Sequence, residues 1–258
     1  SDLNGMAARN AVLQIKQRIV AFLAERYQVA PGLVQFLPNR IKVGSEEISF
    51  DQAIGMAYEA RVSLSSTGFY ATPKIHWDRA SAKGRPFFYF SYGAAVTESA
   101  IDTLTGENRI LRVDILHDVG RSLNPDIDLG QIEGGYVQGA GWLTTEELVW
   151  DAKGRLLTHA PSTYKIPACS DRPPEMHIAL FERGINTEET IYRSKAVGEP
   201  PLMLALSVYH AIRDAVASLA QGEESIALDA PATPERPVEP DTVSREQGLR
   251  ERDHGVSA

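Results

Sequence analysis

The sequence predicts an α+β fold in which antiparallel strands are segregated from packed helices. Three observations predict it. Apolar residues recur at helical spacing over 5–27 and again over 202–219. Between them, the runs 86–98 and 110–119 are rich in β-branched and aromatic residues and enclose a Thr105-Gly106 turn, the pattern of an antiparallel meander. No strand is followed by Gly-x-Gly-x-x-Gly, so a doubly wound dinucleotide-binding sheet is not expected.

Taken in order, Asn4 is placed to cap the first helix, whose stripe is Val12, Ile15, Ile19, Phe22 and Leu23. Lys16, Arg18 and Arg26 read as its solvated face. Short strands are expected near 33–37, 40–43 and 47–50, around Pro38-Asn39 and Gly44-Ser45 turns. A short helix over 52–60 turns Ala53, Ile54, Ala57 and Tyr58 inward, and 62–66 alternates as a strand. After the meander, Asn124-Pro125 opens a glycine-rich stretch over 130–142. Residues 146–150 and 155–158 flank a hairpin signal at 151–154, and 175–181 alternates as a further strand.

The bulk composition bounds the function. The 258 residues are 43% hydrophobic and 23% charged, ordinary for a globular chain able to bury a core. A net charge of −8 argues against a nucleic-acid partner. No apolar run reaches transmembrane length, and no signal peptide is visible, so no membrane partner is expected. The one cysteine, Cys169, excludes an internal disulfide and any cysteine zinc site or iron–sulfur cluster held by this chain alone. A reducing cytoplasm fits that usage. Cys169 lacks a placed histidine partner, so a nucleophilic role is disfavoured. His117-Asp118 has no second histidine nearby, and a structural role is preferred to a metal site.

Two stretches carry chemistry. In Arg193-Ser194-Lys195-Ala196-Val197-Gly198-Glu199-Pro200-Pro201-Leu202, one carboxylate stands between a glycine and two prolines, just ahead of a helical stripe. Pro200 should push Glu199 out of the α region, and Pro201 suits a first helical turn. Glu199 is then either a capping acid or a rigidly held general base. The second stretch is Gly130-Gln131-Ile132-Glu133-Gly134-Gly135-Tyr136-Val137-Gln138-Gly139-Ala140-Gly141-Trp142. Five glycines weaken a helix by roughly 1 kcal/mol each, so something must come close to its backbone, either another helix or a ligand.

The motif from Ser194 to Leu202 resembles the catalytic-glutamate motif of the xanthine dehydrogenase (xanthine oxidase) family of molybdenum hydroxylases, and its two prolines lean towards the purine-oxidising members. Val62-Ser63-Leu64-Ser65-Ser66-Thr67-Gly68-Phe69-Tyr70, Phe90-Ser91-Tyr92-Gly93, residues 122–142 and residues 161–168 resemble the same family in the same order. The resemblance places 1–236 in the C-terminal portion of the molybdenum-cofactor-binding catalytic domain, with residue 1 inside that domain. Residues 237–258, charged and nearly free of large apolar groups, read as a disordered polar tail.

The resemblance implies oxidation of hypoxanthine to xanthine to urate. Glu199 would be the general base that takes the proton from a molybdenum-bound hydroxyl, and Gln131 would lie beside the molybdenum–molybdopterin cofactor. No residue of this chain is implied as a direct metal ligand. FAD, iron–sulfur clusters and NAD would sit on other polypeptides. The implied assembly is a cytoplasmic hetero-oligomer with an iron–sulfur/FAD subunit and the remaining part of the molybdenum domain, and the chain alone would be inactive. Two alternatives remain: a related hydroxylase of aldehydes or N-heterocycles, and a non-catalytic scaffold subunit.

Overall fold

The computed structural model describes residues 1–219, 226 and 228–236. The expected polar tail, 237–258, lies outside the described residues. The chain divides into two compact units, Ser1–Phe88 and Tyr89–Ala258.

In the first unit, helix α1 (Asp2–Arg26) buries Ile19, Leu23 and Ala24 against a three-stranded antiparallel sheet of β1 (Val34–Leu37), β2 (Arg40–Val43) and β3 (Glu46–Ser49). Asn39 and Gly44, at φ 59° and 63°, make the two tight turns. Helix α2 (Phe50–Glu59) starts at a capping box in which Ser49 and Gln52 each satisfy the other's backbone N–H. A two-stranded hairpin, β4 (His76–Asp78) with β5 (Lys83–Arg85), follows.

Four local expectations are corrected here. Helix α1 begins at Asp2 rather than after Asn4. Tyr58 is 76% exposed instead of inward. Residues 62–66 form no strand. Instead the extended segment is bonded by side chains of α1: Arg18 Nη1 to Ser65 O at 2.8 Å, Gln14 Nε2 to Thr67 O at 3.1 Å and Asn10 Nδ2 to Phe69 O at 2.7 Å. The spacing explains the fit. Four helical residues rise about 6 Å, and two extended residues span about 6.6 Å. Donors at every fourth position of α1 therefore meet every second carbonyl, and Arg18 belongs to this clamp rather than to a solvated face. A Cβ on Gly68 would stand 1.8 Å from Ala7 O, so only glycine lets the segment lie this close.

The second unit is built on a three-stranded sheet in the order β6 (Gly93–Ile101), β7 (Asn108–His117), β8 (Glu175–Leu180). Strands β6 and β7 are antiparallel, as the meander pattern predicts, with a bulge at Glu98/Ser99. Strand β8 pairs with β7 in parallel, because a long crossover containing α3 (Pro125–Thr144) brings it back in the same direction. Val113 and Ile115 of β7 point into a core shared with Ile132, Tyr136 and Ala140 of α3 and Val208, Ile212 and Val216 of α4 (Leu206–Ala217). Tyr136 is fully buried, and its hydroxyl is bonded to Thr97 Oγ1 at 2.9 Å, which in turn reaches Ser207 Oγ at 2.7 Å. Burial pushes this phenol above its ordinary value. A short arm closes the core: Ile226, Leu228 and Ala232 are buried, and Ala232 N donates to Leu143 O at 2.7 Å.

Candidate active site

Helix α3 positions the first candidate residue. Asn124 caps it, accepting from Ile127 N at 3.4 Å, and Pro125 fills the first helical position. The glycines of this helix divide by face. A Cβ on Gly135 would stand 3.0 Å from Pro201 Cβ, and one on Gly139 would stand 2.5 Å from Leu202 O and 2.7 Å from Ala205 Cβ. One on Gly141 would meet Glu146 Oε1 at 2.3 Å and Pro167 Cδ at 2.6 Å. These three permit close packing, chiefly against the 3-10 helix Pro200–Ala205 that follows Glu199. Gly130 and Gly134 meet nothing within 4 Å. They leave a bare helix face beside the exposed Gln131.

The second candidate sits at the end of a heavily bonded loop. Tyr192 and Arg193 both take left-handed backbone conformations, at φ 49° and 64°. Each costs roughly 1–3 kcal/mol and persists only where surrounding structure over-determines it. The surroundings do so: Ser194 O accepts from Asn186 Nδ2 at 3.1 Å and from Thr190 Oγ1 at 2.6 Å. Arg121 N donates to Arg193 O at 3.0 Å and Lys195 N to Val119 O at 2.8 Å, so the loop continues from the end of β7 as a narrow bridge. Tyr89 Oη accepts from Ala196 N at 3.0 Å, and Ser91 Oγ donates to Ala196 O at 3.1 Å. Val197 is buried in the core.

Glu199 itself is exposed. Its backbone is in the α region, at φ −97° and ψ −40°, which overturns the expectation drawn from Pro200. The 3-10 turn explains the difference: Leu202 N donates to Glu199 O at 3.1 Å, drawing Glu199 into the turn. The carboxylate makes no capping bond to that helix, so the capping reading has no support in the geometry. A Cβ on Gly198 would stand 3.1 Å from Gln131 Oε1. The fold therefore brings the Gln131 amide alongside Gly198, one residue from Glu199. Each was singled out in the sequence separately, and their adjacency follows from α3 packing on the 3-10 helix.

His117 and Asp118 end β7 and are buried. Tyr92 O lies 3.0 Å from His117 Nδ1, and a carbonyl only accepts, so Nδ1 carries the proton. Nε2 is left buried without a partner. Burial pushes this imidazole below its ordinary value; the Tyr92 bond and Asp118 oppose the shift, and Lys195 adds to it. A histidine depressed on folding contributes stability above its unfolded pKa. That contribution is lost progressively as pH falls from the unfolded value towards the depressed folded one, because over that interval only the unfolded chain binds the extra proton. The expected result is a melting temperature that falls as pH drops below about 6.5, with a smaller fall in His117→Gln, measured by calorimetry. Asp118 is committed to an ion pair with Lys195, which agrees with a structural role for the His-Asp pair. Cys169 is exposed at a 3-10 turn. Among the described residues, no group of three or more His, Cys, Asp or Glu could hold a metal ion, and no helix is long and apolar enough to cross a membrane.

Of the supports of the loop, Tyr89, Asn186 and Thr190 carry no signal in the sequence. Ser91, Asp118 and Lys195 stand in stretches that the sequence singles out, but nothing local pairs Lys195 with Asp118.

The donor chemistry fits one wall of a pterin and metal-oxo site. An exposed amide able to donate and accept lies against a glycine, next to an exposed carboxylate and a helix face bare of side chains. Comparisons agree. Residues 1–173 match the family model described as the molybdopterin cofactor-binding domain. The chain is 45% identical over 239 residues to the xanthine dehydrogenase/oxidase of Gallus gallus, covering 92% of this chain and 16% of that protein. It is 44% identical over 243 residues to the xanthine dehydrogenase of Dictyostelium discoideum, again covering 92% of this chain and 16% of that protein. The chain thus spans about a sixth of the length of these relatives. Among solved structures, quinoline 2-oxidoreductase from Pseudomonas putida 86 superposes with a TM-score of 0.63 at 24% identity, over 87% of this chain and 28% of that one. The Cu,Mo-CO dehydrogenase superposes with a TM-score of 0.62 at 20% identity, over 93% of this chain and 28% of that one, a likeness of fold. With the family model covering residues 1–173 and 44–45% identity over 92% of the sequence, this chain belongs to the molybdopterin cofactor-binding domain of the xanthine oxidase family of molybdenum hydroxylases.

Proposed function

We propose that this chain carries the general base of a purine-oxidising molybdenum hydroxylase and forms one wall of its active site. The observation that carries the reading is Glu199. Its carboxylate is exposed, caps no helix N–H, and follows a backbone held rigid from Ser194 to Val197. A carboxylate with no structural partner among the described residues, at the end of a well-bonded support, suits proton transfer better than folding.

Each oxidation replaces a purine C–H by C–OH, with oxygen from water, and releases two electrons and two protons. When bound, the molybdenum cofactor supplies oxygen activation and takes up the electron pair. Glu199 receives a proton on a carboxylate oxygen as the oxygen nucleophile attacks the electron-poor carbon, which makes that nucleophile stronger. Gln131 would hold a polar edge of the cofactor through its amide, which can both donate and accept. Gly198 leaves room for its approach. The iron–sulfur clusters, FAD and NAD that would take the electrons onward belong to other polypeptide segments. The partner set is the iron–sulfur/FAD portion and the rest of the molybdenum domain, in a cytoplasmic hetero-oligomer, and this chain alone is inactive. Residues 1–236 are assigned to the C-terminal portion of the catalytic domain.

The test is molybdenum content per copy of this chain in the native assembly, together with turnover of xanthine and of aromatic aldehydes. About one molybdenum per chain, with xanthine the better substrate, supports the reading. A wide preference for aldehydes moves the substrate class away from purines. A preparation containing every companion chain but no molybdenum overturns it in favour of a scaffold.

A further inference from the structure

We infer that the buried Lys195–Asp118 ion pair is the positioning device for Glu199. Lys195 lies four residues before the carboxylate and Asp118 at the end of β7, so the pair ties the glutamate loop to the sheet. Lys195 Nζ stands 2.5 Å from Asp118 Oδ2, and the two side chains are 7% and 8% exposed. Its ammonium also lies 5.1 Å from the centre of the Tyr92 ring, so the cation is held from two sides. Asp118 is fixed in turn. Gly120 N donates to its Oδ1 at 2.8 Å. A Cβ on Gly184 would stand 2.3 Å from the same oxygen, so the neighbouring backbone comes in close and leaves the carboxylate little room to turn.

The geometry sets this pair apart from the other supports of the loop. The bonds from Asn186, Thr190, Ser91, Tyr89 and Val119 all end on backbone atoms of 194–196. They hold the strand but tolerate a slip or twist that exchanges one amide for the next. The Lys195 side chain specifies register, because a slip of the segment would carry its ammonium away from Asp118. With the register set, Val197 enters the core and Gly198-Glu199 emerges beside Gln131. Misplacing a reacting group by about 1 Å costs roughly 10²-fold in rate. A charge pair of this kind is weak evidence for stability, and fixing a register is its best-attested use.

The inference rests on the general-base reading of Glu199, and the experiment separates the two. In the full assembly, with rates expressed per molybdenum, Lys195→Met is expected to lower kcat for xanthine by about 10²-fold with KM within about three-fold. Because Lys195→Met leaves Asp118 buried and unpaired, it also lowers the melting temperature. The double variant Asp118→Asn/Lys195→Met removes the stranded charge and keeps an acceptor for Gly120 N. It is expected to regain most of the melting temperature but not kcat, and amide hydrogen exchange at 196–199 is expected to be faster than wild type in both variants. A purely structural pair predicts the opposite: kcat recovers with stability, within about two-fold of wild type, and exchange at 196–199 is unchanged. Either result overturns the inference. If Lys195→Met does not fold, the double variant decides. If Glu199→Gln keeps wild-type turnover, the general-base reading fails, and the exchange data still decide whether the pair holds the loop.

Discussion

Replacing Glu199 by Gln in the full assembly is expected to lower turnover of xanthine by about 10²- to 10⁴-fold, the range spanned by a positioned general base. The substitution keeps the shape of the side chain and removes its ability to take a proton. Stability should change by less than about 0.5 kcal/mol, as for other exposed positions without a structural partner. That expectation follows from the exposed carboxylate, which makes no capping bond to the 3-10 helix it precedes. Steady-state kinetics and calorimetry on one preparation check both halves. A large loss of stability would mean that Glu199 supports the fold, and turnover within a few-fold of wild type would remove it from the mechanism. The combination expected here, a dead and stable variant, is the signature of a residue held for chemistry.

Gly139→Ala is expected to destabilise the protein by about 1 kcal/mol, although alanine is the better helix former. Relief of the glycine penalty in α3 favours the variant by about 1 kcal/mol. Against it, the new Cβ would lie 2.5 Å from Leu202 O and 2.7 Å from Ala205 Cβ, where backbone has to move. Overpacking of this kind costs about 1–3 kcal/mol and occasionally more, so the steric term wins. At about 2–4 °C per kcal/mol for a domain of this size, the melting temperature should fall by about 2–4 °C. Turnover should fall too, since the displaced element is the 3-10 helix that begins one residue after Glu199. Gly134→Ala is the control on the same helix. It meets nothing within 4 Å and should raise stability by about 0.5–1 kcal/mol. A loss at Gly134 as large as that at Gly139 would mean that another polypeptide segment covers that face in the assembly.

The contrast between these glycines marks where sequence reasoning stops. All five in the 130–142 stretch carry the same local penalty, and the pattern offered a neighbouring helix or a ligand without choosing. Packing chose separately for each: Gly135, Gly139 and Gly141 accept neighbours, while Gly130 and Gly134 stay open. Local propensity cannot hold that information, because it depends on which face of α3 meets a segment some sixty residues away.

Much of the fold is legible in the sequence. Apolar spacing placed α1 and α4, β-branched and aromatic richness placed β7, and alternation placed β8, because these patterns are written locally. Motif order identified the family and brought Gln131 and Glu199 forward as candidates. Three things were decided only by the tertiary structure. The extended segment after α2 became a strip clamped by Asn10, Gln14 and Arg18, because a lone extended segment takes whatever donors lie nearest. Glu199 settled in the α region, because a 3-10 bond from Leu202 outweighed the local preference imposed by Pro200. Lys195 found Asp118, seventy-seven residues earlier in the chain, because a buried cation must be paired, and only the folded chain brings that carboxylate within reach.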